Sequence, residues 1–386
     1  MSRIAVLGSG AWGTAIALAL HRRGGHQVTL WSHSAEEANQ IVAAGENTLF
    51  LPGFPLPKAI AFTADGAPIG EAEIVVSVIP SEFLRPTLDR LRPYFHPGQV
   101  VVSATKGVEN NTYLRMTQVI ASSLGAITPQ AELAAARAES HALEIPAPNP
   151  DTRLEVFVES TAPEVSSSGI EPAPRSLDDL VLPIGAFSGP SFALEVAQGQ
   201  PTAVTVAFDD PAVAARIQHE FSSETLRLYT STDVIGVELG GALKNVIAIA
   251  AGVAAGMGLG YNSAAALMTR GIAEITRLAV ACGGRRETLA GLSGVGDLVL
   301  TCTGSLSRNR TVGHALGQGR KLPEILESLG GKVAEGVLTT RAALGLARRH
   351  QIEMPITEQM ELILDEGKDP REAIKDLMLR PGKHEH

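Results

Sequence analysis

Two cysteines in 386 residues, Cys282 and Cys302, cannot build a disulfide framework, and they offer no metal-ligand spacing. No metal is expected, and the pair reads as reduced thiols of a cytoplasmic protein. Aromatic residues are scarce at 4%, while glycines number 39. Such a chain packs small side chains closely and needs many special backbone conformations. Basic residues form no stripe, and 32 Lys and Arg stand against 41 Asp and Glu, which argues against nucleic acid as a partner. A long hydrophobic run is missing too. The most apolar stretch, 246–259, is shorter than the ~20 residues of a bilayer span and reads as a buried helix. No charged leader with a cleavage site precedes the first apolar run, so neither export nor membrane insertion is expected.

What is present is a globular composition, 45% hydrophobic and 19% charged, in a chain long enough for two cores. The first half alternates short, wholly apolar runs (4–7, 28–31, 74–79, 100–103) with helix-length patterns (11–23, 35–44, 82–91, 113–124). Continuously apolar strands between helices mean a parallel sheet covered on both faces. The alternation stops at 127–180, which holds seven prolines and ten acids against three arginines, and so carries seven of the nine net negative charges. That stretch reads as a flexible insertion, with one short strand at 154–158. Strands follow at 184–188, 203–208 and 226–229, with a helix at 211–221. Beyond residue 233 only helical patterns occur: 234–257, 263–282, 311–317, 322–329, 340–349, 357–364 and 370–378. The expected architecture is an α/β Rossmann-type N-terminal domain with a parallel sheet, 1–232, followed by an all-α C-terminal domain, 233–386.

Gly8-Ser9-Gly10-Ala11-Trp12-Gly13 follows the first strand and opens a helix. Glycines in that pattern provide a tight turn, close approach of backbone to a pyrophosphate, and close helix–strand packing. The pyrophosphate then faces free N–H groups at the positive end of the helix. Where a NAD-selective protein carries an acid at the end of its second strand, this chain has Trp31-Ser32-His33-Ser34, with no acid before Glu36. NAD and NADP both remain open, and His33 is either near a 2′-phosphate or a solvent-facing loop residue.

Ala104-Thr105-Lys106-Gly107 sits where a strand ends, so Lys106 can face substrate or nicotinamide. Lys244 is the only Lys or Arg in the apolar, small-residue pattern 234–257. Burial pushes such a lysine's pKa toward the working pH and suits it to exchange a proton. Asp297 comes on a Gly-rich loop, Ser293-Gly294-Val295-Gly296, and is suited to hold Lys244 or a substrate hydroxyl rather than an anion. Ser307-Arg308-Asn309-Arg310 offers an arginine fork beside hydrogen-bond donors, a clamp for phosphate.

These motifs, with Ser188-Gly189-Pro190-Ser191-Phe192-Ala193, the Gly240–Ile249 and Gly296–Thr303 stretches and Glu335-Gly336, resemble bacterial NAD(P)-dependent glycerol-3-phosphate dehydrogenase. The resemblance spans nearly the whole chain apart from 127–180, for which that family offers no counterpart. It implies Lys244 as the catalytic proton carrier. It implies Lys106, Gly189, Ser191, Lys244, Asp297, Ser307, Arg308 and Asn309 as substrate contacts. Near the coenzyme it implies Gly8, Gly10, Ala11, Trp12, Gly13, His33, Lys106, Ala193, Arg308, Val333 and Glu335. The family commonly carries Ser where Ala11 stands, so one side-chain contact to the dinucleotide is not expected here. The implied activity interconverts dihydroxyacetone phosphate and sn-glycerol 3-phosphate with NAD(P)H, for phospholipid synthesis. A homodimer is left open. Two rivals stay in view: a related reductase of hydroxy acids, which would not need the whole Ser-Arg-Asn cluster, and a non-catalytic redox sensor, which would not need Lys244 with Asp297.

Overall fold

The computed structural model describes residues 1–126, 181–328, 334–382 and 384–385. The expected insertion 127–180, with its short strand, and the expected coenzyme residue Val333 lie outside them. The N-terminal part runs β1 (Ser2–Leu7), α1 (Ala11–Arg23), β2 (His26–Trp31), α2 (Ala35–Ala44), β3 (Ala61–Thr63), β4 (Ile74–Ser77), α3 (Ser81–Leu91), β5 (Val100–Ser103), α4 (Met116–Leu124), β6 (Ile184–Ser188), α5 (Ala193–Ala197), β7 (Thr202–Ala207), α6 (Pro211–Phe221) and β8 (Leu226–Ser231). The strands form one sheet in the order β3-β2-β1-β4-β5-β6-β7-β8. Ile4 and Val6 pack with α1 on one face; Ala5 and Leu7 pack with α3 and α4 on the other. Both faces are covered, which is why these strands carry no polar alternation.

All neighbouring pairs are parallel except β6 with β7, which is antiparallel. The wholly parallel sheet is corrected at that one pair. A parallel return needs a crossover, usually a full helix. Between β6 and β7 the chain has only the five-residue α5, whereas the eleven-residue α6 carries it to a parallel β8. The short β3 escaped the sequence patterns, having only three residues and no buried one. The helix expected from 113 begins at Met116, because Arg115 bridges Val108 in an extended conformation and Tyr113 has φ 60°.

The C-terminal part is helical throughout its described residues: α7 (Val234–Gly256), α8 (Tyr261–Ala281), α9 (Arg286–Leu289), a π turn (Leu292–Gly296), α10 (Asp297–Thr303), α11 (Arg308–Gly317), α12 (Leu322–Ser328), α13 (Glu335–Arg349), α14 (Pro355–Asp365) and α15 (Pro370–Met378). α7 matches the helical pattern expected over 234–257 to within one residue. By length and hydropathy it would suffice to cross a membrane, but 94% of its apolar window is buried inside the protein. The other helices wrap it. α11 lies so close that a Cβ at Gly252 would sit 2.1 Å from the Arg310 carbonyl, and one at Gly313 would sit 1.9 Å from that of Ile249. Backbone-to-backbone packing of this kind fixes the start of α11 against the middle of α7. Across the two parts, the buried Glu238 of α7 accepts from Arg115 and, at 2.8 Å, from the Thr117 backbone N–H.

Glu274 of α8 is buried and accepts from the Ile356 N–H at 2.7 Å, at the start of α14. Burial pushes its carboxyl up to about 7, the backbone N–H bonds only partly opposing it. A folded-state pKa above the unfolded one gives stability that is complete below about 4.5 and lost as pH rises through about 7. Glu274→Gln is therefore expected to stabilise the fold by about 3 kcal/mol at pH 8, with the gain shrinking toward pH 5. Thermal melts of both proteins across that range are the check; a variant melting no higher than wild type at pH 8 contradicts it.

Candidate active site

Three charged side chains from three distant parts of the chain meet where the sheet's strand ends face the helical part. Lys244 stands midway along α7, Asp297 opens α10, and Lys106 follows β5. Lys244 Nζ donates to Asp297 Oδ1 and, at 2.8 Å, to Thr301 Oγ1. Lys106 Nζ donates to the other carboxylate oxygen, Asp297 Oδ2, at 2.6 Å, and to the Gly189 carbonyl at 3.2 Å. Asp297 thus ties two ammonium groups together while its own side chain is only 1% exposed. A carboxylate so placed offsets much of the cost of burying two cations.

Burial pushes the Lys244 pKa down to about 8; Asp297 opposes that shift, and the neighbouring Lys106 reinforces it. An ammonium has three N–H donors, and two are engaged by Asp297 and Thr301, leaving one for a ligand. The sequence does not single out Thr301, because the Gly-rich stretch before Asp297 has the pattern of a loop. In fact the Gly-rich stretch winds as a π turn into α10, and Asp297 and Thr301 are four residues apart on one helical face. Helical spacing was the available signal. Cys302, next to it, is buried with its thiol pushed up to about 12, which keeps it out of the chemistry.

The strand ends supply the second half of the site. Gly8 has φ 118°, a value that only glycine adopts without strain, and a Cβ at Gly13 would lie 1.8 Å from the Gly8 carbonyl. Gly10, by contrast, has no neighbouring atom within 4 Å of where a Cβ would stand, and it begins α1 without a side-chain cap. One glycine makes the turn, one lets the helix pack, and one leaves the helix N-terminus open to an anion. The turn lies where strand order reverses, between β1 and β4, the crevice in which open α/β sheets bind ligands.

The sequence carries the family signature over both parts. Residues 3–156 and 172–214 match the model of the NAD-dependent glycerol-3-phosphate dehydrogenase N-terminus, and 233–375 match that of its C-terminus. The chain belongs to the NAD-dependent glycerol-3-phosphate dehydrogenase family. A relative named glycerol-3-phosphate dehydrogenase (NAD(P)+) from Acidobacterium capsulatum is 54% identical, with 100% of each chain covered. One of the same name from Koribacter versatilis is 50% identical over 100% of this chain and 99% of its own. The crystal structure of a glycerol-3-phosphate dehydrogenase from Coxiella burnetii superposes with a TM-score of 0.80 at 34% identity, covering 98% of this chain and 99% of that one. The expectation that the family offers no counterpart to 127–180 is corrected: the N-terminal match runs on through 127–156 and 172–180, leaving out only 157–171, and these relatives are covered end to end.

Within this glycerol-3-phosphate dehydrogenase fold the Gly189 carbonyl accepts from Lys106, and Glu335 feels the charge of Arg308 and both lysines. Gly189, with φ 148°, follows β6, and its carbonyl also accepts from Ser191 Oγ at 3.0 Å. Arg308 is exposed at the first position of α11. Glu335, at the start of α13, has its carboxyl raised by burial, with Arg308, Lys106 and Lys244 opposing in that order. Asn309 is committed on one side, its Oδ1 accepting from the Gly336 N–H at 3.0 Å. Ser307 caps α11 by accepting from the Arg310 N–H at 3.2 Å. Trp12 tilts against Phe187, 6.2 Å between ring centroids, and Ala193 opens α5. Ala11 is the first residue of α1. His33 lies apart from the lysines, exposed just beyond the end of β2.

Proposed function

We propose that this chain interconverts dihydroxyacetone phosphate and sn-glycerol 3-phosphate, using NADH or NADPH. The carrying observation is the buried Lys244–Asp297–Lys106 cluster, in which Lys106 comes from the end of a sheet strand. When bound, NAD(P)H supplies the hydride that goes to the substrate's carbonyl carbon. Lys244 gives a proton to the oxygen as negative charge develops on it, and takes the proton back in the oxidative direction. Asp297 holds the two ammonium groups, and Arg308, with the open end of α11, fixes the phosphate dianion so that the carbonyl stays in reach. The glycine turn and the uncapped start of α1 hold the coenzyme's pyrophosphate. On this reading residues 1–232 bind coenzyme and 233–386 carry catalysis, with Gly189, Ser191, Ser307 and Asn309 lining the substrate, and Trp12, His33, Ala193, Val333 and Glu335 near the coenzyme. The protein works in the cytoplasm on small molecules, apart from nucleic acid and membrane. Its product is the backbone on which phospholipids are built.

The test is loss of NADH absorbance with dihydroxyacetone phosphate, beside a panel of 2-keto acids and across pH. Reduction needs protonated Lys244, so the rate should be level below about pH 8 and fall about tenfold per unit above it. Oxidation of glycerol 3-phosphate should mirror this, rising to a plateau above about 8. Turnover of a keto acid in preference to the phosphorylated ketone would replace the substrate assignment. A reductive rate that climbs through pH 8 would remove Lys244 as proton donor.

A further inference from the structure

The second strand ends without an acid of its own, but the fold brings one there by another route. Glu37 lies in the first turn of α2, and Ser34 caps that helix by accepting from the Glu37 N–H at 3.2 Å. The Glu37 carboxylate folds back over the strand end. Its Oε1 accepts from Ser32 Oγ at 3.1 Å and from Ser9 Oγ, and these two hydroxyls are themselves 3.1 Å apart. Ser32 directly follows β2, and Ser9 lies inside the glycine turn; both are buried. Asn47 braces the turn from beneath, its Nδ2 donating to the Ser9 carbonyl at 2.7 Å and to Thr14 Oγ1 at 2.8 Å. One carboxylate oxygen is therefore engaged with the scaffold. The other, Oε2, accepts no hydrogen bond from the described residues, and the residue is half-buried rather than enclosed.

In a dinucleotide fold the adenosine ribose lies between the end of the second strand and the glycine turn, where a carboxylate accepts from its 2′-hydroxyl. Those two landmarks are the groups that Glu37 joins. Along the chain, the fixed charge around it has one sign. No Lys or Arg occurs between Arg23 and Lys58, Glu36 precedes Glu37, and His33 is the only titratable base in 32–47. Arg90 of α3 sits over the Trp31 ring, 5.4 Å from its centroid.

We propose that Glu37 reads the 2′ position of the coenzyme ribose, accepting from the 2′-hydroxyl of NADH and repelling the 2′-phosphate of NADPH. Both coenzymes serve, with NADH favoured. The inference rests on the dehydrogenase reading for its reaction, but it is tested by coenzyme binding without substrate, so either can fail alone. Wild-type protein titrated with NADH and with NADPH, followed by tryptophan fluorescence, should bind NADH at least tenfold more tightly. Glu37→Gln keeps an acceptor oxygen for Ser9 and Ser32 and loses only the charge. It should narrow the ratio about tenfold, mainly through tighter NADPH binding, with an unchanged melt. Added salt should narrow the ratio for wild-type protein and not for the variant, since it screens a repulsion that only the former has. A wild-type preference for NADPH, or a ratio that moves less than twofold in Glu37→Gln or that salt leaves unmoved in the wild type, would overturn the assignment.

Discussion

Replacing Lys244 by Ala is expected to lower kcat on dihydroxyacetone phosphate by roughly 10²–10⁴-fold, the range for loss of a positioned proton carrier. NADH binding should change little, because the residues that cradle a pyrophosphate, Gly8 to Gly13, belong to the sheet and not to α7. Folding should survive. Removing one partner of a buried ion pair ordinarily costs several kcal/mol through the charge left behind. Here Asp297 keeps Lys106 at 2.6 Å, so the carboxylate is not orphaned. The measurements are kcat, NADH binding by fluorescence and a thermal melt. A variant that melts normally, binds NADH and retains more than about a tenth of wild-type turnover would transfer the proton role to Lys106.

Arg308→Ala is expected to raise KM for the phosphorylated ketone by roughly 30- to 1000-fold, or about 2–4 kcal/mol for a charge-assisted bidentate contact to a dianion. The side chain is exposed, so its loss opens no cavity and should leave the melt unchanged. Arg308→Lys keeps the charge and loses the fork, and should fall between the two. Because Arg308 also opposes the burial-raised carboxyl of Glu335, some weakening of coenzyme binding should accompany the change in KM, but a smaller one. A KM within twofold of wild type would end the phosphate assignment.

Much of the framework was legible in the chain itself. The run Gly8 to Gly13 after an apolar strand specified a turn, an open helix end and a tight helix–strand contact, and each glycine does one of these. The bounds of α1, β5, β6, α6 and α15 follow directly from apolar period and punctuation, such as Asp369-Pro370 at the start of α15. Lys244 was also legible, as the only Lys or Arg along its own helix.

These are local properties: period and turn chemistry act between residues a few positions apart, and a single segment displays them. What meets across the fold is different. Asp297 joins Lys106 and Lys244 over separations of 191 and 53 residues; its chemistry suits it to hold Lys244, but nothing in the three segments shows that it also holds Lys106. Their meeting depends on α7 lying close against the π turn that leads into Asp297, where a Cβ at Gly240 would sit 2.7 Å from the Ser293 carbonyl, and against the end of β6, where a Cβ at Gly241 would sit 2.3 Å from Ser188 Oγ. The depressed pKa of Lys244 follows from that packing, because desolvation depends on what surrounds the amine in three dimensions. The acid at the end of β2 makes the same point at shorter range. Strand position alone excluded it, and it arrives because the first turn of α2 folds Glu37 back onto Ser9 and Ser32. The sequence by itself determined which segments are strands and helices and where a dinucleotide turn begins. Only the tertiary structure decided which charges share a buried space, because electrostatic partners are chosen by distance in the folded chain and not along it.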